Sequence, residues 1–243
     1  MTEALFREDA HLRTCEAVVQ RVDEHGVVLD RTVFYPTGGG QAGDHGELRL
    51  TDGVVLQIAD TRKGADAGEV MHVPAAGQEE LLARFTPGTA VTAQIDWERR
   101  SRHMRFHTST HLLCALVPHP VDGCSITADY ARLDFHMDDA LDKAALNAGL
   151  ARLVAEAHEV SHSWISDAEL DANPGLVRSM SVQPPRGSGQ VRLLKIDGVD
   201  LQPCGGTHVA NTSEIGNVVV TKIEKKGAMT RRVVLGFVEP AVG

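Results

Sequence analysis

The chain has 243 residues, a hydrophobic share of 42%, a charged share of 23% and a formal net charge of −9. That length allows one large domain or two small ones, and that composition supports a buried core and excludes a disordered chain. The acidic total argues against general affinity for nucleic acid, whose binding rests on Lys and Arg displacing counterions, although local clusters can override it. Aromatic residues are few at 4%, so the core must be mostly Val, Leu, Ala and Ile. No apolar run approaches the ~20 residues of a membrane span, and the first residues lack a basic stretch followed by an apolar one, so no membrane association and a cytoplasmic location are expected. Cys15, Cys114, Cys124 and Cys204 are too sparse for a disulfide scaffold and are read as reduced.

Up to residue 95 the chain reads as short strands broken by turns. The segments 17–22, 26–29, 46–50, 54–58 and 90–95 are β-branched or alternating, and most are bounded by Gly, Asp or Pro. A small β-barrel or sandwich is the natural inference for residues 1–95. Inside it, the run Tyr35-Pro-Thr-Gly-Gly-Gly-Gln41 puts three glycines together. They either bring backbone N–H groups close to a phosphate, ribose or carbonyl, or form a mobile hairpin tip.

Helical spacing begins near Asp96 and runs to Leu116, with an acidic first turn, then Met104, His107, His111 and Leu112, and Pro118 as the stop. A second helix is expected over 139–160, its buried stripe being Leu141, Ala145, Leu146, Leu150, Leu153, Val154 and Ala157. Between the two helices, 130–135 looks like a strand. The segments 190–196, 217–223 and 231–237 return to strand patterning, and 173–189, rich in Pro, Gly and Ser, reads as a long loop. A second domain is therefore expected over 96–243.

Two motifs carry chemistry. His107-Thr-Ser-Thr-His111 is an i, i+4 pair that places both imidazoles on one helix face, and Cys204-Gly-Gly-Thr-His208 joins a thiol and an imidazole around two glycines. Each is weak alone. Together they offer four donors of the kind Zn²⁺ prefers, and one Zn²⁺ held by His107, His111, Cys204 and His208 is expected. Thr108 stands where a zincin would place its general-base Glu, which speaks against a metalloprotease. Four protein donors leave two roles open for the ion, a closed scaffold or a centre that loosens to activate water. Two basic clusters flank these motifs, Arg99, Arg100, Arg102 and Arg105 before the first, and Lys222, Lys225, Lys226, Arg231 and Arg232 after the second. They are either solvated faces or the seat of a polyanion, and their position beside the motifs favours the polyanion.

Four motifs in order, Pro36-Thr-Gly-Gly-Gly-Gln41 with Asp44 and Gly46, His107-Thr-Ser-Thr-His111-Leu-Leu, Arg132-Leu-Asp-Phe135, and Cys204-Gly-Gly-Thr-His208-Val with Glu214-Ile-Gly216, resemble the editing domain of alanyl-tRNA synthetase. They resemble still more its freestanding relatives, the AlaX family. The resemblance runs from about residue 30 to residue 238. It implies an α+β protein, an N-terminal small β-barrel followed by an α+β zinc-binding editing domain with a largely antiparallel sheet and two main helices. It implies the same four zinc ligands. It further implies an aminoacyl-tRNA deacylase that hydrolyses Ser-tRNA(Ala), and by extension Gly-tRNA(Ala), while sparing Ala-tRNA(Ala). The partner is then the acceptor end of tRNA(Ala) carrying a non-cognate amino acid.

By position, Thr110 matches a family hydroxyl bordering the amino-acid pocket, and Gly38, Gly39, Gly40 and Gln41 match a glycine-rich loop that approaches the site. Arg105 is expected among the substrate contacts. Where editing domains often carry a Gln before the Arg-x-Asp-Phe strand, this chain has Val121-Asp-Gly-Cys124, so no Gln role transfers there. The chemistry agrees with editing, because one small group distinguishes substrates by only ~1–3 kcal/mol and a synthetic site for alanine cannot exclude serine by size. A buried hydroxyl can tell the two apart, since serine satisfies it and alanine leaves it unpaired. Thr110 suits that role, with a bond back to its own helix backbone as the competing use. Two other readings stay open, a tRNA-binding module with a purely structural zinc, and a zinc hydrolase of a small ester or amide that works without tRNA.

Overall fold

The computed structural model describes residues 1–177 and 189–238. The chain divides into two units, Met1–Gly38 with Ala42–Ser101, and Gly39–Gln41 with Arg102–Gly243.

The first unit contains β1 (Glu3–Ala4), β2 (Thr14–Asp23), β3 (Gly26–Leu29), β4 (Arg31–Thr32), β5 (Gly46–Leu50), β6 (Val55–Lys63), β7 (Val70–Pro74), the one-turn helix α1 (Glu79–Leu82) and β8 (Ala90–Ile95). β1 pairs in parallel with β4, and the other six strands close into an antiparallel barrel in the order β2-β3-β7-β6-β5-β8. Closure removes the exposed edges that an open sheet of these strands would present. The barrel core is supplied by alternating residues, Ala17 and Val19 from β2, Leu48 and Leu50 from β5, Leu56 and Ile58 from β6, and Val91, Ala93 and Ile95 from β8. Strand side chains alternate faces, so each i, i+2 set points inward together. The five strand segments read from sequence lie within or overlap β2, β3, β5, β6 and β8. β7 escaped that reading because His72 and Pro74 interrupt its apolar pattern.

Several polar side chains are buried inside this unit, Arg100 and His72 among them. Arg100 is fully buried, its Nε 3.1 Å from both carboxylate oxygens of Asp44, with further bonds to Val33 O at 2.6 Å and Ala10 O at 3.0 Å. Arg100 therefore does not belong to a basic surface, and the first arginine cluster is not the continuous polyanion seat its spacing suggested. His72 is also fully buried: its Nδ1 lies 2.9 Å from Val27 O and its Nε2 2.8 Å from Thr32 Oγ1. Val27 O can only accept, which assigns the ring proton to Nδ1 and leaves Nε2 to accept from the Thr32 hydroxyl, whose oxygen also accepts from Phe34 N.

The second unit takes most of α2 (Trp97–Leu116), then β9 (Val121–Ile126), β10 (Ala131–His136), α3 (Lys143–Ala155), β11 (Val160–Ser166), α4 (Asp167–Ala172), β12 (Gln190–Ile196), β13 (Asp200–Pro203), β14 (Val218–Gly227) and β15 (Thr230–Phe237). Two antiparallel sheets result, β14-β15-β10-β9 and β11-β12-β13. The α+β architecture with an N-terminal barrel is as expected. No helix among the described residues is long and apolar enough to cross a membrane.

α3 is shorter than its pattern. Asp142 caps it by accepting from Ala144 N and Ala145 N, and Leu146, Leu150 and Leu153 form the buried stripe. Its end comes before Ala157, whose φ of 55° belongs to the left-handed region, and Asn211 Nδ2 donates to Ala157 O at 2.8 Å. The expected helix end at 156–160 lies outside α3, and Val160 instead opens β11, which pairs with β12 along its whole length. Most of the expected loop 173–189 lies outside the described residues, and Pro174–Leu176 at its start make one 3-10 turn.

Burial holds the imidazole of His72 down at about 4, against 6.5 for the free group. A depressed histidine contributes its stability above pH 6.5 and loses it as pH falls towards 4, a loss of about 3 kcal/mol over that window. Of the two tryptophans, Trp97 packs on the barrel core. In a Trp164→Phe background, urea unfolding followed by Trp97 fluorescence should therefore show stability falling between pH 6.5 and 4, and His72→Gln should flatten that slope.

Candidate metal centre

α2 is buried on nearly all sides between His103 and Cys114, with Arg105 only half-buried. Within that stretch the hydroxyls satisfy themselves on the helix backbone: Thr108 Oγ1 donates to Met104 O, Ser109 Oγ to Arg105 O and Thr110 Oγ1 to His107 O. The histidines do not, and they point to one place. His107 and His111 of α2 meet Cys204 and His208 from the turn after β13, with all four ligand atoms within 4.8 Å of one another. Cys204 Sγ lies 3.4 Å from His107 Nε2 and 3.2 Å from His208 Nε2. This group could bind a metal ion.

The turn reaches α2 because its glycines leave room. A Cβ on Gly206 would stand 2.1 Å from His107 Cε1. Arg192 of β12 holds the same turn from behind, its Nη1 donating to Cys204 O and Gly206 O at 3.1 Å each, while Cys204 N donates back to Arg192 O at 3.0 Å.

Each imidazole has its far nitrogen occupied. His107 Nδ1 is 2.7 Å from Gln41 Oε1, His111 Nδ1 is 2.8 Å from Asp200 Oδ2, and His208 Nδ1 is 3.2 Å from Thr108 Oγ1. Since the Thr108 proton already goes to Met104 O, that hydroxyl accepts from His208. All three rings thus carry their proton on Nδ1 and turn Nε2 inward, the tautomer a metal requires.

Gln41 arrives on the glycine run. Gly40, at φ 86°, accepts from Ile126 N at 2.7 Å, and Gln41 bridges to Ile126 in parallel, so the segment adds itself to the free side of β9. A Cβ at Gly40 would press within 3.0 Å of Cys124 O, so only glycine fits there. Gln41 is then locked, with Oε1 also accepting from Thr207 N at 3.1 Å and Nε2 donating to Thr207 Oγ1 at 2.9 Å.

The electrostatics separate the thiols. Burial opposes ionisation of Cys204, but the imidazoles of His107 and His208 outweigh it and hold the thiol well below its usual range. Cys124 has no such help: burial, then the neighbouring charge of Cys204, pushes it up to about 12. Burial pulls His111 down, yet the Asp200 and Cys204 partners dominate and lift it to about 9. His208 is held well below its ordinary value, first by burial and then by His107.

The other residues singled out from sequence are distributed as follows. Gly39, Gly40 and Gln41 belong to the unit of the centre, and Gly38 to the first unit, where its carbonyl accepts from the Tyr35 hydroxyl at 2.8 Å. Thr110 is buried, with its proton committed to His107 O at 2.7 Å. Arg105 Nε donates to Ile215 O at 2.8 Å, and its guanidinium lies 3.9 Å over the Phe237 ring. In the second basic cluster, Arg232 holds Asp134 with two bonds at 2.7 and 2.8 Å, Arg231 is buried, and Lys225 and Lys226 are exposed. Asp200, Gln202 and Arg192 were not singled out, and Thr108 was noted only for standing in place of a zincin's Glu. The available signal was alternation, because Asp200, Gln202 and Cys204 stand at i, i+2 and i+4 and so share one face of an extended segment.

Comparison with known proteins follows the same two parts of the chain. Residues 4–99 match the family described as tRNA synthetases class II (A), and residues 191–234 the threonyl and alanyl tRNA synthetase second additional domain. The alanyl-tRNA editing protein AlaX-M of Methanosarcina mazei is 33% identical over 100% of this chain and 99% of its own. That of Saccharolobus solfataricus is 31% identical over 96% and 98%. The alanine–tRNA ligase of Pyrococcus furiosus is 34% identical over 99% of this chain but only 26% of its own length.

Gly206→Ala tests the closeness of the turn to α2. Overpacking of this kind costs about 1–3 kcal/mol, and displacement of His107 should break the donor set. The variant is expected to melt at a lower temperature than the parent and to retain well under one equivalent of metal by elemental analysis.

Proposed function

The chain belongs to the AlaX-M family of alanyl-tRNA editing proteins, and from that premise we propose that it is a zinc-dependent deacylase that clears Ser-tRNA(Ala) in trans and spares Ala-tRNA(Ala). Gly-tRNA(Ala) is the second substrate in this reading, and the cytoplasm is where it meets them. The convergence of His107, His111, Cys204 and His208 in a chain that aligns end to end with AlaX-M proteins is the observation that carries it.

The donors suit zinc. Three imidazoles and a readily ionised thiol are the borderline set that Zn²⁺ takes, and ligands on one tetrahedral zinc at about 2.0 and 2.3 Å stand roughly 3.5 Å apart, close to the Cys204–histidine separations. When bound, the ion supplies a positive charge that can polarise an ester carbonyl or hold the amino-acid group. The chain's own residues do the positioning. Gln41, Asp200 and Thr108 hold the imidazoles, Arg192 holds the Cys-Gly-Gly turn, and burial of the α2 face keeps bulk water from the donors. An aminoacyl ester needs little activation, so a positioned water suffices.

In this reading Thr110 contributes to the choice of amino acid. Its proton is committed to His107 O, so its remaining lone pairs act only as acceptors, which a seryl hydroxyl can satisfy and an alanyl methyl cannot. The four-donor closure favours a second reading, a tRNA-binding module with a purely structural zinc.

Zinc-loaded protein is expected to release serine from Ser-tRNA(Ala) and leave Ala-tRNA(Ala) largely intact, measured as loss of labelled amino acid from each tRNA. No release of serine would overturn the proposal. A folded Cys204→Ala protein that still binds tRNA but no longer hydrolyses it would eliminate the structural-zinc reading. Thr110→Val should narrow the serine-over-alanine ratio by roughly 5- to 150-fold, the equivalent of ~1–3 kcal/mol, and an unchanged ratio would remove Thr110 from recognition.

A further inference from the structure

The three groups behind the imidazoles are not alike. Gln41 is an amide and Thr108 a hydroxyl, but Asp200 is a carboxylate, and its side chain is 1% exposed while that of His111 is 7% exposed. Its Oδ2 lies 2.8 Å from His111 Nδ1. Gln202 Nε2 donates to that same oxygen at 2.7 Å, so the carboxylate is held from a second side. Register fixes it from a third: Asp200 opens β13 opposite Ile196, at the close of the tight turn in which Val199 N donates to Ile196 O at 2.9 Å.

We propose that Asp200 is a positioning residue that sets the metal affinity of the centre by holding His111 in the metal-binding tautomer and by supplying a second negative charge beside the Cys204 thiolate. The inference rests on the reading that the four side chains hold zinc. Two physical effects carry it. A hydrogen bond to an ionised acceptor is roughly twice as strong as a neutral one, so His111 is oriented more firmly than His107 or His208 and is the more basic donor. In a buried site a dication with one thiolate leaves a net positive charge away from water, and a carboxylate next to the ligand brings the sum of Zn²⁺, Cys204 and Asp200 to zero.

The test is zinc affinity, measured by competition with a chromophoric chelator, together with the visible spectrum of the cobalt(II)-loaded protein. Asp200→Asn keeps the shape and removes the charge. It is expected to bind zinc roughly 10- to 100-fold more weakly than the parent, to keep the thiolate-to-cobalt band from Cys204, and to shift the ligand-field bands. Asp197→Asn is the control for loss of a nearby carboxylate, because Asp197 pairs with exposed Lys195 at 2.7 Å, and it should change neither readout. Gln202→Leu serves should Asp200→Asn fail to fold, and a several-fold loss of affinity is expected from it. Affinity and cobalt bands in Asp200→Asn equal to those of the parent, or a loss no larger than in Asp197→Asn, would overturn the proposal, as would an unchanged Gln202→Leu in the fallback. A parent protein that takes up neither zinc nor cobalt would instead overturn the reading of the centre itself.

Discussion

An imidazole that gives Nε2 to a metal must carry its proton on Nδ1, and a buried N–H without an acceptor costs on the order of 1–3 kcal/mol, so three buried histidines around one point require three acceptors behind them. Here those acceptors come from three separate stretches of chain: Gln41 from the glycine run, Asp200 from the start of β13 and Thr108 from α2 itself. The second unit is arranged to deliver them. Parallel addition of the glycine segment beside β9 brings in Gln41, and the tight turn between β12 and β13 brings in Asp200. Arg192 draws the Cys-Gly-Gly turn into place by two backbone carbonyls.

The hydroxyl-rich turn of α2 serves the same constraint. A helix buried on nearly all sides cannot leave Thr108, Ser109 and Thr110 seeking water, and each returns its proton to a carbonyl three or four residues back. That leaves only acceptor capacity at each oxygen. Thr108 uses its own on His208 and on Val209 N at 3.3 Å, which ties the helix to the second ligand motif. The hydroxyls between the two histidines are thereby internal fittings of the helix as well as neighbours of the centre.

Arginine is spent inside this acidic protein more than its sequence spacing suggests. Arg100 is wholly buried against Asp44, Arg105 is bonded to Ile215 O and stacked on Phe237, and Arg232 grips Asp134. A planar guanidinium with five donors can satisfy several carbonyls or a carboxylate at once, which a lysine cannot. Runs of arginine in one dimension therefore overstate the basic surface in three. Lys225 and Lys226 at the end of β14 remain exposed.

The sequence by itself determined the period-2 strands that became the barrel, the extent of α2, the buried leucines of α3 and the four-donor set, because alternation, helical spacing and ligand chemistry are local properties. It misjudged α3 beyond Ala155, since the left-handed turn at Ala157, held by Asn211, and the pairing of Val160–Ser166 with β12 depend on partners distant in the chain. It passed over β7, where His72 looks polar until Thr32 and Val27 are seen on either side of it. Only the tertiary structure decided which nitrogen of each histidine faces inward, that Gln41 and Asp200 stand behind the centre, and that Arg100 is a core residue. Those are hydrogen bonds between residues 56 to 100 positions apart, and spacing along a chain carries no record of which buried donor will find which acceptor.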